Sequence, residues 1–345
     1  YYSQENHGPY ELFDLGDFEL ESGGTIRSCQ LAYTTFGKLN ANKDNAILMT
    51  PWYSGTSKIM EQVYVGQGRA IDPDKYFVII INQIGNRLST SPHNTAEPFG
   101  MAAFPHVRSG DDVREQHKLL TEKFGLDSLA LVVGGSMGAQ QTWEWAVRYP
   151  EMVKRAAPIA GTAKNTPHDF LYTKTLNEAI TSDPAWEGGW YKEPHAVHRG
   201  LRRHADLWSV MGYSTEMFKQ ELWRDLGFSS LEDFYVGFTQ GYFLPMDPNN
   251  LLCLAWKWQR GDVSRITGGD LEAALSRITA KMFVMPIDAD MFFPPQDCEE
   301  HQRMVANSEF RVMNSHWGHL GLFGMDPKYA EQVDHHLNEL LAIEV

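Results

Sequence analysis

Cysteine is scarce in this sequence: Cys29, Cys253 and Cys298 are the only three in 345 residues, far apart and odd in number. That fits buried thiols in a reducing compartment better than a disulfide framework. No uninterrupted apolar run reaches the roughly 18 residues of a membrane span, so no membrane partner is expected. The stretch Tyr1-Tyr2-Ser3-Gln4-Glu5-Asn6-His7 lacks the basic and apolar regions of a signal peptide, and a cytoplasmic location is the expectation. Positive charge is in deficit, with 30 Lys and Arg against 44 Asp and Glu and a formal net charge of −14. A nucleic-acid or anionic-membrane partner calls for the opposite, a basic patch. Metal motifs are missing as well, since neither CxxC nor HExxH occurs. His195, His198 and His204 cluster in an Arg-rich, helix-like stretch with no carboxylate at ligand spacing, which reads as a solvated face. No metal and no cofactor is expected.

Core-forming material is plentiful, at 43% hydrophobic residues. Apolar runs of strand length alternate with longer amphipathic segments, the pattern of an α/β protein whose mostly parallel central sheet is flanked by helices. Strands are expected at 46–49, 76–81, 129–133 and 281–285, and helices at 111–124, 140–149 and 329–341. Between Thr166 and Gly269 the strand signals cease and aromatics crowd in, among them Trp186, Trp208, Trp223, Phe238, Tyr242, Phe243 and Trp258. The expected organisation is therefore a core of 1–165 and 270–345, interrupted by a helical lid insertion at 166–269. Such a cap makes a lidded, apolar pocket over a sheet edge.

Gly134-Gly135-Ser136-Met137-Gly138 follows an apolar strand and opens a helix. It matches G-x-S-x-G, the turn that lifts a nucleophilic serine above the sheet of an α/β-hydrolase fold. The serine sits on a strained turn, so its neighbours must be small. A serine hydroxyl needs a base to ionise at neutral pH, and in this fold the chain order is serine, acid, histidine. Asp288 and Asp290, after the strand at 281–285, are both candidates for the acid. His316 and His319, before the final helix, are both candidates for the base. An oxyanion hole needs two N–H donors. One falls on Met137, the residue after the nucleophile. The other falls on the loop Thr50-Pro51-Trp52-Tyr53-Ser54, on Tyr53 or its neighbour Trp52.

Several stretches resemble the homoserine O-acetyltransferase family. They are Gly68-Arg69-Ala70-Ile71-Asp72-Pro73-Asp74-Lys75-Tyr76-Phe77-Val78-Ile79, Val133-Gly134-Gly135-Ser136-Met137-Gly138, Glu144-Trp145-Ala146-Val147-Arg148-Tyr149-Pro150, the loop around Asp290 and Gly318-His319. The resemblance runs over nearly the whole chain. It implies Asp290 as the acid, His319 as the base, an acyl group carried on Ser136, and a homodimer.

The departures from that family concern the acceptor. Where those acetyltransferases follow the catalytic histidine with an aspartate that helps hold the homoserine amine, Leu320 stands here. Upstream of Tyr213, Asp206 takes the place of the arginine that grips the homoserine carboxylate, with Arg202, Arg203 or Arg87 left as substitutes. A zwitterion in a closed pocket needs partners for both charges. The expected function is therefore a serine hydrolase of short-chain, acetate-type esters, with Trp52, Tyr213, Leu320 and Asp206 as candidate substrate contacts. A coenzyme A-dependent O-acetyltransferase acting on homoserine or another alcohol is the alternative. A non-catalytic ligand receptor on the same fold is the third reading.

Overall fold

The structure is a computed structural model that describes residues 1–345. Its centre is one eight-stranded sheet of β1 (Glu11–Glu19), β2 (Thr25–Phe36), β3 (Ala46–Thr50), β4 (Phe77–Ile81), β5 (Leu131–Gly135), β6 (Arg155–Ile159), β7 (Lys281–Val284) and β8 (Ser308–Phe310). In space the order is β1-β2-β4-β3-β5-β6-β7-β8. The β1–β2 and β2–β4 pairs are antiparallel, and every pair from β4 to β8 is parallel.

The central strands read as continuous apolar runs because both of their faces are covered. All residues of β3, β4 and β5 are buried. Alternate side chains then belong to different layers. Ile47, Met49, Val78 and Ile80 pack with Tyr64, Tyr329, Val333 and Leu337 from the helices Ser57–Tyr64 and Pro327–Ala342. Leu48, Ile79 and Val132 face the other way, onto Leu119, Leu120 and Trp143 of the helices Ser109–Phe124 and Met137–Arg148.

From β6 to β7 all regular structure is helical, the longest pieces being Pro167–Thr181, His198–Gly212 and Pro248–Gln259. The first is opened by Thr166, which forms a reciprocal capping box with Asp169, and the last by Asp247. Leu176, Leu201, Trp208, Leu254 and Trp258 join the same apolar cluster as Leu48 and Val132, so this segment extends the core of the sheet. No helix is long and apolar enough to cross a membrane.

The order β4-β3-β5-β6 matters for the site. Thr50 at the end of β3 lies in register with Gly134 of β5. The loop after β3 and the turn after β5 therefore leave the sheet side by side at the carboxyl ends of the strands, where open α/β sheets bind ligands.

Candidate active site

Ser136 is the single residue between β5 and the helix Met137–Arg148, with φ 56° and ψ −120°. The positive φ stores strain that only firm surroundings can hold. They are firm here: the Ser136 N–H donates to the Ile159 carbonyl at 2.9 Å, and the Thr50 hydroxyl donates to the Gly138 carbonyl at 2.8 Å. A Cβ at Gly134 would strike the Thr50 hydroxyl, and one at Gly138 the Thr50 carbonyl. Small residues at these two positions let the β3 loop press against the turn.

Three side chains meet in a line. Ser136 Oγ lies 2.9 Å from His319 Nε2, and His319 Nδ1 lies 2.7 Å from Asp290 Oδ2. The other carboxylate oxygen of Asp290 accepts the N–H groups of Phe292 at 2.8 Å and Phe293 at 3.0 Å. With Asp290 so fixed, its Oδ2 can only accept, so the imidazole carries its proton on Nδ1 and turns the Nε2 lone pair to the serine. Ser136, His319 and Asp290 are all buried. Phe292 packs edge-on against the His319 ring at 4.7 Å between centroids, excluding water from one flank.

The other two candidates sit elsewhere. Asp288 is exposed, and its carboxylate accepts the Ser315 N–H at 3.0 Å. His316 is also exposed, and its carbonyl accepts the Ser214 hydroxyl. Both brace the loop that delivers His319, and the pair brought to Ser136 is Asp290 and His319.

Neither the Tyr53 N–H nor the Met137 N–H finds an acceptor within the chain. Met137 is the first residue of its helix, where N–H groups are free and the helix dipole favours negative charge. The Trp52 N–H is unpartnered too, so hydrogen bonding does not separate it from Tyr53.

Ser136 and His319 open into a narrow, largely apolar cavity. Trp52, Tyr213 and Leu320 line it, together with Ser54, Trp208, Phe238, Tyr242, Phe243, Leu322 and Phe323. No Lys, Arg, Asp or Glu contributes to the wall. Asp206 is not among the lining residues, contrary to expectation. It is half-buried and accepts the Tyr235 hydroxyl. The reason is helical phase: Trp208, two residues on, lines the cavity, and a two-residue step turns a helix by roughly 200°.

None of the arginines considered as substitutes replaces a charge holder. Arg202 and Arg203 are exposed. Arg87 is buried, but its guanidinium donates to the carbonyls of Ser54 and Asn86 rather than lining the cavity.

The histidine cluster also divides. His195 and His198 are exposed as a solvated face requires, whereas His204 is fully buried. Its Nε2 accepts the Trp208 indole N–H at 3.1 Å, and burial pushes the imidazole down to about 4. It is a neutral strut behind the aromatic wall. The lid aromatics Phe238, Tyr242 and Phe243 escaped assignment as contacts because residues of the same type build the lid's own packing. Leu322 and Phe323 carried a usable signal, since they lie on the same short 3₁₀ turn, Gly318–Phe323, as His319.

A family model described as alpha/beta hydrolase fold matches residues 54–324. The chain belongs to this family. Among its α/β-hydrolase relatives, the ethyl acetate hydrolase of Pseudomonas veronii is 59% identical over 342 residues, spanning 99% of this chain and 98% of that protein. A homoserine O-acetyltransferase of Trichormus variabilis is 30% identical over 314 residues, spanning 88% of this chain and 86% of that protein. The solved structure of the acetyl esterase MekB superposes with a TM-score of 0.98 at 59% identity, covering 99% of both chains. The resemblance to the acetyltransferases is therefore real but distant, and proteins named as esterases stand much nearer.

Proposed function

We propose that this protein is a serine carboxylesterase that hydrolyses acetate and similar short-chain esters of neutral alcohols through an acyl-Ser136 intermediate. One observation carries the reading: the Ser136–His319–Asp290 chain opens into a narrow cavity whose wall has no Lys, Arg, Asp or Glu. The names of the nearer relatives point the same way.

In this mechanism Ser136 Oγ attacks the ester carbonyl carbon while His319 Nε2 takes the hydroxyl proton. Negative charge develops on the carbonyl oxygen, and the N–H groups of Tyr53 and Met137 receive it. Collapse breaks the bond to the alcohol oxygen, which leaves with the proton from His319. Water then gives a proton to His319 and attacks the acyl carbon. The second collapse releases the carboxylic acid and returns the proton to Ser136. Asp290 stabilises the imidazolium in both halves without being protonated itself. The helical segment 166–269 acts as the lid, with Trp208, Tyr213, Phe238, Thr239, Tyr242 and Phe243 forming its share of the wall.

Water is the acceptor because a zwitterion is excluded. Burying both charges of homoserine without partners costs roughly 2–5 kcal/mol for each truncated pair, enough to abolish transfer. The test supplies a small acetate ester with and without homoserine, and separately acetyl-CoA with homoserine. Release of acetate without O-acetylhomoserine is the expected result. Efficient formation of O-acetylhomoserine in either mixture would sink the hydrolase reading in favour of the acetyltransferase.

A further inference from the structure

Behind the loop that carries Trp52 and Tyr53 lies a buried polar network that takes no part in the steps above. Gln83, two residues past the end of β4, is fully buried. Its amide nitrogen donates to the carbonyls of Pro51 at 3.3 Å and Trp52 at 3.4 Å. Its amide oxygen accepts from Lys257 Nζ at 3.2 Å and from Gln141 Nε2 at 3.0 Å. Lys257 comes from the far side, on the helix Pro248–Gln259, and its side chain has no exposure. It pairs with the equally buried Asp112 at 2.5 Å and donates to the Ile84 carbonyl at 2.8 Å. Asp112 in turn accepts the Ile84 N–H at 3.0 Å and Gln141 at 3.2 Å.

We infer that Gln83, its amide oriented by Lys257, is a positioning residue for the oxyanion hole. Two steps of chemistry lead there. An ammonium has donors and no acceptor, so the group of Gln83 facing Lys257 must be its oxygen. The NH₂ group is then obliged to face the loop. The second step is the planarity of the peptide, in which C=O and N–H point in opposite directions. Holding the Trp52 carbonyl from behind turns the Tyr53 N–H the other way, and holding the Pro51 carbonyl does the same for the Trp52 N–H. The Trp52 carbonyl also accepts the Gly55 N–H at 3.1 Å, so there Gln83 shares the task, whereas it acts on both peptides at once.

A buried ion pair is weak evidence for stability, since its desolvation cost can exceed its Coulombic gain. A role in geometry accounts for a fully buried Lys–Asp pair at this place. It also ties a helix of the segment 166–269 to the reacting atoms without touching substrate.

The inference rests on the esterase reading of the site, and the test separates the two. Gln83→Glu keeps an oxygen for Lys257 and Gln141 but presents a second oxygen to the Pro51 and Trp52 carbonyls, acceptor against acceptor. Its kcat on an acetate ester is expected to fall by about 10²-fold, the size of losing one oxyanion donor. KM should stay near that of the unaltered protein. Affinity for a trifluoromethyl ketone, which forms the same oxyanion on serine, should fall by the factor lost in kcat/KM. Gln83→Met and Lys257→Met are expected to show the same parallel losses, smaller in size, and they decide the matter if Gln83→Glu does not fold.

Folded variants with unaltered kcat would overturn the inference. So would a loss of kcat that leaves ketone affinity intact, because that pattern belongs to a general packing defect. Ser136→Ala run in parallel keeps the two readings apart. If it retains hydrolysis, the site itself is wrongly assigned; if it is inactive while the Gln83 variants are unimpaired, only the positioning role falls.

Discussion

Replacing Ser136 with alanine is expected to lower kcat on acetate esters by roughly 10⁶-fold while leaving the fold in place. The size follows from the absence of a substitute. His319 Nε2 has one hydroxyl partner, Ser136 Oγ at 2.9 Å. Of the free thiols, Cys29 and Cys298 are buried in the apolar core and Cys253 is not part of the cavity wall. Burial also pushes the Cys298 thiol far up, away from thiolate chemistry. What remains is catalysis by binding and the oxyanion donors, worth roughly 10³–10⁴ over water. Adding His319→Ala to Ser136→Ala should therefore cost almost nothing more, since residues acting as a unit are not additive. Initial rates of acid release, read beside thermal unfolding, check both statements. A Ser136→Ala protein within a hundredfold of the unaltered one would mean that another group attacks the ester.

The second large effect belongs to Asp290→Asn, for which a loss of about 10⁴-fold in kcat is expected with little change in stability. The geometry dictates how the amide must sit. The Phe292 and Phe293 N–H groups, at 2.8 Å and 3.0 Å from Asp290 Oδ1, demand an acceptor. An asparagine meets that demand with its oxygen, which leaves its NH₂ facing His319 Nδ1. The imidazole must then place its lone pair on Nδ1 and its proton on Nε2, toward Ser136. A base that already carries its proton cannot take one from serine. Near-normal activity in a well-folded Asp290→Asn protein would show that something other than this carboxylate sets the tautomer.

What could be read from the chain, and what could not, follows from how locally each feature is encoded. The strands at 46–49 and 76–81 were readable because β3 and β4 are apolar on both faces. The strand β1 carries register shifts around Gly16 and a largely exposed face, which destroys the two-residue alternation. The strand β6 is spelled Arg155-Ala156-Ala157-Pro158-Ile159, with two alanines and a proline where strands favour β-branched residues. Its place in the sheet is dictated by β5 and β7 on either side.

At the site, Ser136 and its glycines announce themselves because strand, turn and helix are consecutive. The choice of Asp290 over Asp288, and of His319 over His316, was left open by the residues alone and needed the family resemblance. Asp206 was misplaced because the sequence does not give the rotation of its helix about its own axis. Gln83 and Lys257 had no local signal at all. Their network joins positions 83, 112, 141 and 257 from separate parts of the chain.

Acyl groups are expected to pass through Ser136. The most direct check is to mix the protein with an activated acetate ester, quench with acid before turnover is complete, and locate the modification by peptide mass mapping. The prediction is a single acetyl group on Ser136, lost on longer incubation and absent from the Ser136→Ala protein. An unmodified Ser136 during rapid acetate release, or an acetyl group carried through turnover on a different residue, would contradict it.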